Sequence, residues 1–296
     1  MLSQIRRVLF SAFMLFMAMF LSGCHYALLQ PKGIIAADEK NLLILATGLM
    51  LLVVVPVIAL TYVVAWRYRE SNQTAHYDPE WSHSNLIEVV CWSIPCIIIL
   101  ILGTMTWRST HTLDPYRPLT GYAAKPITIE AIALDWKWLF IYPEQGIATV
   151  NEINFPVGVP VDFKITAEGA MNSFMIPQLA GQIYAMAGMR TQLHLVADQP
   201  GDFTGMSANF SGNGFSDMSF AVHVGSATDF NTWVSTVKKS SNVLNFSQYA
   251  HLVQPSEKQP VTYFSKVTPE LFDDVIMKSM MPTPMTDNNN AMQTQM

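Results

Sequence analysis

The sequence predicts an α+β membrane protein: a two-helix transmembrane hairpin, then an extramembrane β-sandwich, then a helical C-terminal extension. Three observations predict it. Two long apolar runs lie before Arg108, one without any charged residue and one with a single Glu. Short alternating apolar runs, punctuated by Gly and Pro, fill the region from Lys125 to Gly225. Helical signals replace the alternation after Gly225. Composition agrees, because half of the 296 residues are apolar and only 13% are charged, about half the usual share of roughly 25%. The net charge of −5 supplies no basic patch, so no nucleic acid is expected as a partner.

Residues 1–23 read as a targeting segment. Arg6 and Arg7 form its charged start, and Val8 to Phe20 form its apolar run. It closes on Leu21-Ser-Gly-Cys24, which matches the bacterial lipoprotein box. Cys24 is then the lipidated first residue of the mature chain. The alternative is a third membrane helix with an incidental Cys, and the run is short for that. Residues 24–41 follow as an outer segment.

The two spans are residues 42–66 and 86–107. Each is long enough to cross a hydrocarbon core of about 30 Å. Trp66, Tyr68, Trp81 and Trp107 supply aromatics for the interfaces. Pro56 and Pro95 lie inside the spans, where membrane helices tolerate proline if neighbours satisfy the freed carbonyl. Charge does not orient the hairpin: Arg67 and Arg69 in the 67–85 loop balance Lys32 and Lys40 before the first span. The lipoprotein box does, since Cys24 is processed on the outer side. The 67–85 loop is then cytoplasmic, and everything after Trp107 is periplasmic.

Residues 125–225 carry the sandwich. Ile127, Ile129, Ala131 and Ala133 share one face, as do Val161, Phe163 and Ile165, and Met218, Phe220, Val222 and Val224. Strands are expected at 192–197 and 218–224. Turn signals between such runs argue for a sandwich rather than an open sheet. By the same alternation His194 and His223 point to the opposite, solvent face.

One stretch organises the rest. Thr204-Gly-Met-Ser-Ala-Asn-Phe-Ser-Gly-Asn-Gly-Phe-Ser-Asp-Met218 reads as an ordered loop between two strands. Upstream, Met171-Asn-Ser-Phe-Met-Ile-Pro177 reads as a second loop. In spacing these resemble the copper-binding loops of the subunit II family of haem-copper oxidases. Ser207, Ser211, Phe215 and Met218 fall where that family's dinuclear-copper loop carries Cys, Cys, His and Met. Asn172 falls where it carries another His. Of the side-chain ligands only Met218 remains.

The chemistry of that loss stands without the family. A two-copper centre needs bridging thiolates, because soft anionic sulfur holds the metal. Serine hydroxyls are hard and neutral, and phenylalanine has no lone pair. All three Cys of the chain, at 24, 91 and 96, precede residue 100. No copper or other metal is therefore expected in this chain. Within the family the loss is the pattern of the quinol-oxidising branch.

The resemblance specifies a cupredoxin-like sandwich. It also extends to Asp135-Trp-Lys-Trp-Leu-Phe-Ile-Tyr-Pro-Glu-Gln-Gly146, like the family's aromatic region, and to Gln178–Arg190. Without copper, Trp136 and Trp138 are expected to pack the sandwich or meet a partner. Residues 226–281 form the extension, with Thr228 expected to cap a helix over 229–238. Thr268-Pro-Glu270 opens another to Met280, with Pro269 in its first position. Residues 282–296 are polar, rich in Asn and Gln, and read as a disordered tail.

Glu88 is the most informative charge, since intramembrane carboxylates are expensive and usually functional. His83-Ser-Asn-Leu-Ile-Glu-Val-Val-Cys-Trp-Ser-Ile-Pro95 resembles the family motif whose Glu stands at the cytoplasmic mouth of a proton pathway into subunit I. Burial would raise its pKa towards neutrality; the alternative is a snorkelling interfacial carboxylate. Cys91 and Cys96 are expected as buried apolar thiols.

The resemblance implies a subunit of a proton-moving ubiquinol oxidase with no redox centre or catalytic residue of its own. Haems and the active-site copper belong to subunit I, its expected partner along with the other subunits and the lipid bilayer. Ubiquinol is met through subunit I, and cytochrome c is not a partner. An alternative is a lipid-anchored copper carrier, suggested by Met171, Met175, Met186, Met189, Met206 and Met218, whose thioethers suit Cu(I).

Overall fold

The computed structural model describes residues 26–76 and 78–281. The signal segment, Cys24 and the 282–296 tail lie outside the described residues.

Helices α1 (Ile34–Arg67) and α2 (Asn85–Thr112) form the hairpin. Each is long and apolar enough to cross a membrane. Both exceed the expected spans. At 1.5 Å per residue, α1 runs about 51 Å and α2 about 42 Å. The extra turns carry the charges: α1 begins with Ile34-Ile-Ala-Ala37 and runs on through Asp38-Glu-Lys-Asn41, and α2 continues through Arg108 to Thr112. Hydropathy hides such turns, but nothing in them breaks a helix. Thr110 and Thr112 donate their hydroxyls to carbonyls four residues back, which lets small polar residues close a helix end. Half-buried positions on α1 are Leu42, Ala46, Leu49 and Val53; on α2, Leu102, Met105 and Ser109 are half-buried and Ile98 is buried. Alternating steps of three and four place these positions along one face of each helix. The remaining faces stay open. Cys91 and Cys96 lie on them, exposed, because among the described residues no further helix packs there.

The start of α1 is fixed to the sandwich. Lys32 N–H donates to the Gln178 carbonyl at 2.7 Å, and Asp198 N–H donates to the Lys32 carbonyl at 2.8 Å. Gly33 follows, and a Cβ there would fall 2.5 Å from the Val196 carbonyl oxygen. Only glycine allows so close an approach.

Two sheets form the sandwich. One has the order β12-β3-β2-β1-β5-β8, built from β1 (Ile127–Leu134), β2 (Lys137–Tyr142), β3 (Ile147–Val150), β5 (Val161–Ala167), β8 (Thr191–Leu195) and β12 (Thr262–Phe264). The other has the order β4-β10-β9-β6-β7, built from β4 (Glu152–Pro156), β6 (Asn172–Ile176), β7 (Ala180–Ala185), β9 (Gly201–Ser207) and β10 (Ser219–Gly225). The β1/β5 and β4/β10 pairs are parallel. The three alternating faces read from the sequence all enter the core between the sheets. Trp138, Phe140, Phe163, Phe174 and Phe220 meet there with ring centroids 4.9–6.3 Å apart, the spacing at which edge and offset contacts are favourable.

The extension is a third layer. Its elements are α3 (Ala227–Val237), β11 (Val243–Leu244), α4 (Phe246–Leu252), β13 (Lys266–Val267) and α5 (Leu271–Met280), with β12 between α4 and β13. Leu244, Tyr249, Phe264, Leu271, Phe272, Val275 and Ile276 cover the outer face of the first sheet, where Ile132, Leu134, Leu139, Ile141, Ala148 and Val150 would otherwise be wet. Ser226, not Thr228, caps α3: its hydroxyl accepts from Asp229 N–H and the Asp229 carboxylate accepts from Ser226 N–H, a reciprocal capping box. Pro269 is not in the first turn of α5. Glu270, with φ of 67°, sits between them as the N-cap residue. Helix α4 is one the sequence reading did not place, although Asn245 caps it by accepting from Gln248 N–H.

Candidate functional site: a copper-type loop held by hydrogen bonds

The loop is shorter than its sequence suggests. Thr204 to Ser207 belong to β9, and Phe215–Asp217 form a single 3-10 turn before β10. Three elements therefore set the five singled-out positions: Asn172 starts β6, Ser207 ends β9, and Ser211, Phe215 and Met218 lie on the connection to β10. Asn172, Ser207 and Met218 are buried.

The structure brings them together. The Asn172 side-chain N–H group donates to Ser211 Oγ at 3.1 Å and to Met218 Sδ at 3.2 Å. Its Oδ1 accepts from Ser173 N–H. Ser207 N–H donates to the Met218 carbonyl at 3.1 Å, and Ser207 Oγ accepts from Trp138 Nε1 at 3.0 Å. Phe215 joins only through its backbone, donating to the Gly212 carbonyl and accepting from Met218 N–H. Its ring turns outward against Phe210.

Trp136 is the floor of the loop. It has φ of 63°, a conformation that turns the chain sharply between β1 and β2. Its Nε1 donates to the Ser211 carbonyl at 3.3 Å. A Cβ at Gly214 would fall 2.6 Å from the Trp136 ring, so the loop lies flat on the indole only because that residue is glycine. Trp136 and Trp138 thus support the loop from within the fold.

These donors do not fit a copper pair. Two serines offer neutral hard oxygens, the asparagine presents N–H hydrogens rather than a lone pair, and the methionine sulfur already accepts one of them. Among the described residues no three His, Cys, Asp or Glu side chains converge in a metal-holding group.

Glu88 sits in the first turn of α2, where the helix dipole favours an anion. It is exposed in this chain, not buried. Its carboxylate lies 2.7 Å from His83 Nδ1, and the other His83 nitrogen contacts Asn85 Oδ1. His83 opens the motif quoted for Glu88, but the sequence alone does not pair the two side chains. The sequence reading misplaced His194, which is buried. His194 faces Asp162 directly across β5 and β8, with Nδ1 at 2.6 Å from the carboxylate. His223 faces Asp202 in the same way across β9 and β10 at 2.6 Å, and is part-exposed.

Three buried or nearly buried charges join the extension to the sandwich. Lys137 donates to the Gln254 carbonyl at 2.7 Å and to Ser256 Oγ at 2.6 Å. Burial pushes the pKa of this lysine down, against the pull of nearby Asp135. Glu152 accepts from Trp233 Nε1 at 2.8 Å and from Tyr263 OH at 2.7 Å. Glu168 accepts from Tyr249 OH at 2.6 Å and from Lys278.

The family model described as "Cytochrome C oxidase subunit II, periplasmic domain" matches residues 144–225, and the one described as "COX Aromatic Rich Motif" matches residues 238–283. The chain is 57% identical to the cytochrome bo(3) ubiquinol oxidase subunit 2 of Pseudomonas aeruginosa, over 88% of this chain and 78% of that one. It is 55% identical to the same-named protein of Pseudomonas putida, over 87% and 82%. With the ubiquinol oxidase subunit 2 of Acetobacter aceti it shares 52% identity, over 88% and 85%. The chain belongs to the ubiquinol oxidase subunit 2 family.

The periplasmic-domain match spans Ser207, Ser211, Phe215 and Met218, and their side chains form a ligand set unsuited to copper. The family's relatives named above give no sign of the copper-carrier alternative. Cys24 and Glu88 both precede the two stretches that the family models match.

Proposed function

We propose that this chain is the copper-free subunit II of a ubiquinol-oxidising, oxygen-reducing complex of the bacterial inner membrane. The observation that carries the reading is the Asn172–Ser211–Met218 contact set, which fills a copper-type loop with ordinary hydrogen bonds. Cytochrome c delivers one electron at a wet surface and needs a metal there to receive it. Ubiquinol is dissolved in the membrane and delivers its electrons elsewhere. A subunit fed by ubiquinol has no use for the surface metal, and this one lacks the ligands.

The chain then works as a non-redox part. It packs against subunit I, which holds the haems and the active-site copper, and covers it on the periplasmic side. Glu88 offers a proton intake on the cytoplasmic side, with His83 as its partner. A lipid on Cys24 anchors the outer segment. The complex couples ubiquinol oxidation to outward proton movement.

The test is to purify the assembled complex and follow its electron donors. Ubiquinol should support oxygen uptake and reduced cytochrome c should not. All copper should be accounted for by subunit I. Oxygen uptake driven by cytochrome c, or a mixed-valence copper signal from this chain, would overturn the reading.

A further inference from the structure

The two spanning helices do not close on each other at their outer ends. They leave a cleft of about 310 Å³, near the lower end of the roughly 300–1,000 Å³ typical of ligand sites. Its upper walls are polar, with Asp38 and Asn41 from α1 and Arg108 from α2. Its floor is apolar, with Leu42 and Leu45 facing Met105. The order follows the membrane. Leu42 opens the uncharged run of α1, and Asp38 is one turn above it. Trp107 closes the run of α2, and Arg108 is the next residue. Both charges therefore stand at one interface, where tryptophan prefers to lie.

Neither charge is used by the fold. Among the described residues the Asp38 carboxylate and the Arg108 guanidinium have no hydrogen-bond or ion-pair partner, and they do not pair with each other. A single ligand with both signs would satisfy both. We propose that the cleft is a phospholipid site for a zwitterionic headgroup, its phosphodiester on Arg108 and its primary ammonium on Asp38, with acyl chains along Leu42, Leu45 and Met105. The guanidinium fork matches phosphate oxygens. The carboxylate discriminates: an anionic headgroup without an amine would set negative charge against Asp38. A free phosphate would engage Arg108 and leave the apolar floor empty.

The inference rests on the membrane placement in the proposed function. To test it, the full chain is studied both in its complex and alone in detergent micelles. Each sample is delipidated and titrated with dioleoyl-phosphatidylethanolamine, dioleoyl-phosphatidylglycerol or inorganic phosphate, and bound lipid is read by native mass spectrometry. Phosphatidylethanolamine should stay bound. Asp38→Asn and Arg108→Gln should each weaken it roughly tenfold, the size of one lost charge-assisted hydrogen bond. Arg108→Lys should recover part of the loss, and Asp38→Asn should improve phosphatidylglycerol binding. Unchanged retention in both variants would overturn the proposal. So would equal binding of the two lipids regardless of Asp38, or phosphate binding as well as either. If no lipid stays and Arg108→Gln instead releases other subunits, a protein helix fills the cleft and the proposal falls. Failure to co-purify a haem protein would strike the oxidase reading, while the titration of the chain alone would still decide this one.

Discussion

The Asn172 amide N–H group points at the Met218 sulfur, 3.2 Å away. A buried thioether accepts a hydrogen bond there, which occupies a lone pair that a metal would need. The same amide reaches Ser211 Oγ, so one side chain ties β6 to both ends of the loop. The arrangement makes Asn172 a fastener for the loop.

Removing the fastener should therefore loosen the loop. Asn172→Ala leaves Ser211 and Met218 without their donor in a buried place. The sandwich should lose about 1–3 kcal/mol, read as a lower thermal midpoint with unchanged secondary structure. A midpoint equal to the parent would show that the contact carries no weight.

Supplying soft ligands at the loop should create a copper site. The backbone contacts of Ser207, Phe215 and Met218 do not depend on their side chains. The fourfold variant Asn172→His, Ser207→Cys, Ser211→Cys, Phe215→His should take up two coppers and turn coloured. Copper uptake no greater than the parent would mean that the loop does not hold these four positions in a copper-binding geometry.

Glu88→Gln keeps the shape and removes the charge. In the assembled complex it should slow proton uptake several-fold, and His83→Ala should slow it less, since the histidine acts through the carboxylate it contacts at 2.7 Å. Equal proton-uptake rates in Glu88→Gln and the parent would exclude this residue from the pathway.

High pH should release the extension. Burial, then the hydrogen bond to Glu152, then that carboxylate's charge push the Tyr263 hydroxyl from 10.0 up to about 12. A raised pKa in the folded state means that the folded chain holds this proton longer than the unfolded chain does. The stabilisation is complete below pH 10 and is lost as pH climbs through about 12. Tyr263→Phe should flatten the stability curve in that window, measured by denaturant midpoints at stepped pH. An unchanged alkaline slope would assign the effect elsewhere.

Much of this was legible in the residues. Alternation at Ile127, Ile129, Ala131 and Ala133 gave the inner face of β1, because a strand repeats every two residues. The spacing of Ser207, Ser211, Phe215 and Met218 located the loop. What stayed hidden depends on contacts across the fold. Asp38, Glu39 and Lys40 look like a linker until the sandwich is seen holding the first turn of α1. His194 alternates like a solvent-facing residue, and its burial comes from neighbours that alternation cannot name. The Ser226-Ala-Thr-Asp229 box was in plain sight and lost to Thr228, since both are good capping residues. Helix α4 is seven residues long, too short for periodicity to announce.

Strand β12 lies antiparallel against β3, with Tyr263 opposite Thr149. It arrives from the extension, more than a hundred residues later in the chain, and closes an edge that the first ten strands leave open. A polypeptide ended at Gly225 would keep the whole metal-type loop, yet bare a row of unpaired amides beside a sheet face of isoleucine, leucine and valine. Such a fragment invites strand-to-strand stacking with its own copies. Shortening the gene to its loop-bearing core should thus give aggregates, and the C-terminal layer acts as a built-in guard against self-association.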